Sequence, residues 1–484
     1  MRTEDPGYKL YVKVDDAKDV PCEVFLPAKS TDNVVLHFYP EPNTPPSPFP
    51  WRFSICGEIR SFDGVIQTLL EAKTVYRRQE KTRHWAHNVV QRTVVGEPID
   101  LKITDFIHRE PSANRENRLR GCYWISPCQM LLRPKFITRS YTGAITVSSG
   151  KPKRVLLANG IKVRFDQRFR HRDDPNGGMV ALEEQVAEFD VDASFDKRVE
   201  DLAVIDDFLM LVSFAARQRC VCAGWRIARD DRVTTLYRRD VTIPAVKQGY
   251  SFDDALVDFA HTKEFIKQTY RRYLRIDEPE RGLLRRAIHG AIGQEKHTLE
   301  SSWLTLFSAL ESALRFYQTV SPSSGGVLKP ADWKSLSSRL DACVSDFAES
   351  RKKKSKVLWK SRIDQMRKNL GSLNRPPLSS AFDQMCKHYR IDLNDLWPIS
   401  RGGKGQSSLY GIRNKLVHGQ VFPYAQQGVA LIGAREHLRW TLERVLLSIL
   451  GWPVEQSRVS PRFLAARMAC YKDWQADRDI LSKE

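Results

Sequence analysis

The period of the apolar residues changes once along this chain, near residue 246, so the chain has to build two kinds of structure. Up to about Ile243 the pattern is that of strands. In Tyr8-Lys9-Leu10-Tyr11-Val12-Lys13-Val14 aromatic and branched residues alternate with polar ones, and residues 22–26, 34–39 and 51–55 repeat the alternation. Strand side chains point to opposite faces in turn, so this pattern marks half-buried strands. Turn-forming residues separate the runs, most densely at 40–50. Residues 144–147, 154–157 and 161–165 add further runs, and a mostly antiparallel sheet or curled sandwich is expected. One helical insert is expected near Asp201, where Ile205, Leu209, Leu211, Val212 and Ala215 have helix-like spacing.

Past Gly249 the period lengthens. Phe252, Leu256, Phe259 and Phe265 open a helical pattern whose polar side carries Arg271, Arg272 and Arg275. A long helix is expected from about His297, with Trp303, Leu306, Leu310, Ala313, Leu314 and Tyr317 on one face. A Ser/Gly/Pro loop at 321–330 ends it. Helical stretches at 333–347 and 379–388 follow, then a loop at 398–405, a short helix, and a last helix at 435–450 closed by Gly451-Trp452-Pro453. The fold class is therefore α+β: a mainly β N-terminal domain followed by an all-α helical bundle.

The formal charge of +19, from 77 Lys+Arg against 58 Asp+Glu, favours a polyanionic partner; a basic solubilising surface would give the same totals. Nine cysteines in 484 residues are not a disulfide framework. No secretory signal opens the chain, and no apolar run approaches the ~18 residues of a membrane span, so a cytoplasmic setting and no membrane partner are expected. Without a Walker loop or a Rossmann fingerprint, ATP-driven and dinucleotide chemistry lack support, and no cofactor is expected. No metal site is expected either. His84 and His87 have no completing ligand set, Cys220 and Cys222 are too close for a Cys-x-x-Cys knuckle, and Cys122 and Cys128 have no second pair.

The chemistry-bearing segment is Arg413-Asn414-Lys415-Leu416-Val417-His418. It places a phosphate ligand, an amide and an imidazole on one short helix. Asn414 and His418, four apart, share a face, while Ile412 and Leu416 share nearly the opposite one and can bury. Arg413 lies between the faces. Gly419 marks a helix end or a close backbone approach, and at a helix end the dipole favours imidazolium at His418. Taken singly, an arginine and a histidine on a helix are more often surface residues than catalysts.

Arg-Asn-x-x-x-His followed by Gly, late in a bundle, resembles the signature of the HEPN superfamily of nucleases. Arg413, Asn414 and His418 keep each element. The helix spanning Trp303 to Leu314 resembles the early bundle helix of that family, and Glu311 matches its acidic residue facing the motif. The resemblance covers residues 282–452, and the whole layout is most similar to the ApeA-like proteins of bacterial anti-phage defence. It implies a sensing or regulatory domain at 1–245, a helical connector at 246–281, a HEPN-type nuclease bundle at 282–452 and an accessory segment at 453–484. It further implies metal-independent endoribonuclease activity and a homodimer through the bundle, with two motifs lining one cleft. Arg413 would hold the scissile phosphate and stabilise its added charge. His418 would be base toward the ribose 2′-hydroxyl or acid toward the 5′-oxygen. Asn414 would orient His418 or bond the phosphate, and Glu311 would either fix Arg413 or simply face solvent. The products would carry 2′,3′-cyclic phosphates. RNA is the expected partner, open between tRNA, rRNA, messenger and phage transcripts because all carry the same backbone, and the trigger, phage-derived among the candidates, is open between a protein, a nucleic acid and a small molecule.

The densest basic run is Arg351, Lys352, Lys353, Lys354 and Lys356, extended by Lys360, Arg362, Arg367 and Lys368. With Lys415 it is either an RNA-binding set or a solvated helix tail. Arg271, Arg272 and Arg275 are a second candidate. The competing function is a non-catalytic RNA- or protein-binding module of the same fold; a pure binder has no chemical need for an imidazole titrating near neutral pH. A DNA-binding regulator would need a helix-turn-helix, and no segment supplies one.

Overall fold

The computed structural model describes the backbone of the elements given below. Side chains are described over residues 121–131, 153–167, 185–190, 202–227, 254–292, 298–321, 326–350, 361–400 and 407–482, apart from single positions inside these ranges. His84 and His87 lie outside the described residues. The fold is mixed α+β, an antiparallel sheet in the N-terminal half followed by helices. It divides into two compact units, Met1–Asp254 and Ala255–Glu484.

In the first unit the alternating runs become strands β1 (Tyr8–Lys13), β2 (Val20–Phe25), β3 (Val35–Phe38) and β4 (Arg52–Arg60). β5 (Ile66–Arg78), β6 (Ile99–Pro111) and β7 (Arg120–Ile125) follow, then β8 (Phe136–Arg139), β9 (Ile145–Ser148), β10 (Lys153–Leu156), β11 (Lys162–Asp173) and β12 (Met179–Asp190). Helix α1 (Arg198–Ala216) precedes β13 (Cys222–Arg229) and β14 (Arg232–Arg238). Strand β6 pairs with β5 on one edge and with β3 and β14 on the other, so the pairings of β1–β6 close into a ring. β14 passes the sheet on to β13, β7, β12, β11 and β10 in that order, while β8 and β9 pair separately. The side chains of this last part show the expected period. Val163, Phe165 and Gln167 of β11 are buried while Lys162 and Arg164 are exposed. α1 is buried all round from Phe208 to Ala216, with Phe208 stacked on Phe165 at 5.4 Å. Cys128, Cys220 and Cys222 are buried in this core.

The second unit contains α2 (Thr262–Leu274), α3 (Glu278–Ile292), α4 (Leu299–Val320), α5 (Pro330–Arg351), α6 (Lys356–Leu370) and α7 (Leu378–Tyr389). α8 (Leu409–Val417), α9 (Tyr424–Leu450), α10 (Pro461–Arg467), α11 (Ala469–Lys472) and α12 (Trp474–Ser482) complete it. α9 is the central helix. Leu438, Leu442, Val445 and Ile449 are buried as expected, and the carbonyl of Leu431 accepts from the indole of Trp303 on α4 at 3.3 Å. It begins well before Arg435, where the sequence placed it, because its first turns break the apolar stripe: Val429 is 80% exposed and Ile432 49%. α5 and α6 pack on each other as a hairpin. Its base is closed by Asn374, whose carbonyl and side chain accept from the amides of Val327 and Leu328. Arg351 ends α5, Lys356 opens α6, and Lys352, Lys353 and Lys354 lie outside the described residues, as do the side chains of Arg351 and Lys356.

The segment after α9 folds back onto it through a buried polar network. Arg444, 1% exposed, forms a two-pronged ion pair with Asp395 at 2.6 and 2.7 Å and donates to the carbonyl of Val459 at 2.7 Å. Tyr471 donates to the same carboxylate at 2.5 Å. Burial pushes the Asp395 pKa up, but the bonds from Arg444 and Tyr471 outweigh it and hold the carboxyl below its ordinary value. His437 accepts from the backbone amide of Trp397 at Nδ1 and faces the carbonyl of Cys470 at Nε2, which fixes the neutral Nε2–H tautomer. Burial lowers its pKa to about 4.

Removing one partner of the buried pair leaves an uncompensated charge, so Asp395→Ala is expected to destabilise the second unit by about 3–5 kcal/mol in urea unfolding. The folded pKa of His437 is below its unfolded value, so its contribution is present above about pH 6.5 and is lost as pH falls toward 4. Unfolding free energy measured across that window is expected to drop by about 3 kcal/mol, and His437→Gln to flatten the slope.

Candidate active site

Helix α8 carries the motif and is fixed at both ends. At its start the Ser408 hydroxyl accepts from the amide of Gly411 at 3.0 Å, an N-cap. Ser407, one residue earlier, is held by the last helix of the chain: its amide donates to the Ser482 hydroxyl at 2.7 Å and its own hydroxyl donates to the carbonyl of Leu481 at 2.8 Å. The Ser407 carbonyl accepts from Trp397 and Arg478. At the far end Gly419 takes φ +77°, its amide bonding the carbonyl of Leu416 and that of Gln420 reaching Lys415. This paired closure is why a glycine follows His418. His418 is the C-cap itself, with Val417 the last helical residue. Leu409 and Ile412 are fully buried and Leu416 half-buried, as the face argument expects.

Arg413 reaches across to α4. Its Nη2 lies 3.4 Å from Glu311 Oε1, one long contact rather than a two-pronged pair, and Nη1 donates to Asn414 Oδ1 at 3.1 Å. The guanidinium stands 5.8 Å from the ring centre of Phe307, which in turn leans on Tyr410 at 5.9 Å. Both charged side chains keep access to solvent, 29% for Arg413 and 30% for Glu311. Glu311 also lines a groove of about 730 Å³ on α3 and α4, together with Arg286, Ser308, Ser312 and Arg315. Gly290 stands opposite Ala309 there, and a Cβ on it would come within 2.7 Å of the Ala309 methyl.

The structure therefore brings Arg413, Asn414 and Glu311 together and sets His418 apart, exposed at the helix end. Asn414 is turned toward Arg413. Five residues separate Arg413 from His418, about 140° around the helix, so on one α8 they do not converge. Lys415 is half-buried on the same helix; of the rest of the expected RNA-binding set, Arg351 ends α5 and Lys356 opens α6, while Lys352, Lys353 and Lys354 lie outside the described residues. Phe307 and Tyr410 escaped the sequence reading as site residues. Their signal was spacing, four before Glu311 and three before Arg413. Nothing in the sequence pointed to Arg286.

No family model, no curated protein and no solved structure matches this chain. Its chemistry has to be read from the residues themselves. Among the described residues no three His, Cys, Asp or Glu side chains converge as a metal site requires, and no helix is long and apolar enough to cross a membrane.

The left-handed backbone at Gly419 sets a checkable cost. Gly419→Ala meets no steric obstacle but must hold φ +77°, so it is expected to lower stability by about 1–2 kcal/mol and to fray the end of α8. Faster amide exchange confined to residues 415–420 would register it.

Proposed function

We propose that this chain is a metal-independent endoribonuclease of the HEPN type, acting in the cytoplasm as an anti-phage defence effector, with Arg413 and His418 as its reactive pair. One observation carries the reading: a guanidinium buttressed by an acid on another helix yet left 29% exposed, on a helix whose end presents an exposed imidazole. Buttressing by Glu311, Asn414 and the Phe307 ring fixes the cation in place, and its open edge is available to a phosphate. In the reaction His418 takes the proton of the ribose 2′-hydroxyl, the 2′-oxygen attacks phosphorus, and the bond to the 5′-oxygen breaks. The leaving oxygen receives a proton, and the products are a 2′,3′-cyclic phosphate and a 5′-hydroxyl. Arg413 balances the charge on the phosphoryl oxygens. The 140° between the two side chains favours a cleft shared by two copies, the Arg413 of one meeting the His418 of the other. Restraint by the β-rich unit until infection supplies a trigger is part of the same proposal.

One observation favours a second reading, a non-catalytic RNA- or protein-binding module of the same fold. Arg413 already has Glu311 and Asn414 as partners, and among the described residues no side chain orients His418. The two readings separate in one assay, cleavage of total RNA and purified tRNA with EDTA present and phage lysate as a candidate trigger. EDTA-resistant cutting with cyclic-phosphate ends, lost by at least about 100-fold in both Arg413→Ala and His418→Ala, is the outcome expected of the nuclease. Binding without cutting under every trigger, or cutting indifferent to both substitutions, would overturn it.

A further inference from the structure

Helix α2 buries Phe265, Ile266, Thr269, Tyr270 and Tyr273 and turns its other face outward. On that face Lys267, Arg271 and Arg275 stand at i, i+4 and i+8, all exposed, in one stripe with steps of about 6 Å. Like charges four apart repel on a helix. Among the described residues none of the three forms an ion pair. Glu264 is the one acid lining the same groove, which has a volume of about 640 Å³ and is completed by Gln268, Arg272 and Gly451. Two of these are committed to the fold. Gln268 donates to the carbonyl of Gly451, the C-cap of α9, and Arg272 lies so close to that residue that a Cβ there would fall 2.7 Å from its Nη1. The cation at this helix end is explained by the helix dipole. Arg271 in the last turn of α2 and Arg275 at its C-cap are favoured in the same way by the dipole of α2, which offsets their mutual repulsion, but that leaves the positive charge of the stripe exposed and unmatched by an ion pair. Arg272, next to Arg271 in the same groove, is near the Tyr389 phenol, whose pKa burial raises and Arg272 partly lowers, and Tyr389 packs edge-on against exposed His388 at 4.7 Å and against Tyr317 at 6.0 Å.

We infer that the face of α2 bearing Lys267, Arg271 and Arg275 is a seat for the phosphate backbone of single-stranded RNA, with the His388–Tyr389 pair beside it as a surface for bases. A cationic stripe with neighbouring rings is the combination that holds single strands irrespective of sequence. The seat is distinct from the Arg413 site. Glu311 and Tyr317 are six residues apart on α4, about 9 Å along its axis and on different faces.

The test is equilibrium binding, by fluorescence anisotropy, of a labelled oligouridylate to the full chain carrying His418→Ala, so that the probe stays whole. The double substitution Arg271→Gln/Arg275→Gln is compared in that background, its fold checked by thermal melting. These side chains are exposed and outside the core, and loss of their repulsion offsets loss of their interaction with the helix end, so the melt is expected to stay within a few degrees. Affinity is expected to fall about tenfold, and the slope of log affinity against log salt to shrink by about 1.4, the value for two phosphate contacts on a single strand. His388→Ala is expected to weaken binding with the salt slope unchanged. Unchanged affinity and slope in the double variant overturn the inference. So does poly-glutamate of equal charge binding as tightly as RNA and losing as much, since the face would then receive acidic protein. Binding is read without turnover, so failure of the nuclease proposal leaves this result standing, and the reverse holds too.

Discussion

The second unit depends on one buried cation. Arg444 stands on the central helix with 1% of its side chain exposed, and a guanidinium without partners there would be prohibitively costly to bury. Its partners come from elsewhere in the chain: the carboxylate of Asp395 and the carbonyl of Asp392 before the motif helix, and the carbonyl of Val459 after α9. Satisfying it fixes where both flanking segments pass. His437, two turns earlier on α9, repeats the arrangement with a neutral ring, joining the backbone of Trp397 to that of Cys470. The approach to α8 and the segment after α9 are thus held to one helix by polar bonds that each require a single geometry, where apolar packing alone would tolerate several.

The geometry around Arg413 follows from that frame. α4 and α9 share the core, so Glu311 is presented at a set height on α4, and α8 is aimed at it by the anchored residues before Ser408. The resulting ion pair is half-exposed and single-pronged, a contact of small energetic worth. Its value lies in position, because it holds a partly exposed cation beside Phe307.

Much of this was legible in the sequence because the signals were local. Period-two runs located β1–β4 and β9–β11, and the six-residue apolar pattern from Trp303 to Tyr317 located α4, because one buried face dictates each of them. Gly419 announced the end of α8 since only a residue without a Cβ takes φ +77° at no cost. The start of α9 was hidden because Val429 and Ile432 face outward, so the rule linking apolar residues to the core misreads them. The network of Arg444, Asp395, His437 and Tyr471 left no trace, as its members lie up to 76 positions apart and look like ordinary surface residues one at a time. The same holds at the site. Arg413 and Glu311 are 102 residues apart, and their pairing came from family resemblance, while the turn of Asn414 toward Arg413 rather than His418 needed coordinates.

The clasp on Ser407 has a consequence for the order in which the molecule matures. The residue in front of the motif helix is stitched by Leu481, Ser482 and Arg478, more than seventy positions downstream. During synthesis α4 and α8 leave the ribosome long before those residues exist, and domains ordinarily fold as their segments emerge. Here the start of α8 has its bonds to Trp397, Pro398 and Ile399 from the segment before it, but lacks those to Arg478, Leu481 and Ser482 until α12 has been made. A nascent chain that had not yet made α12 would carry Arg413 and His418 on a helix held from one side only.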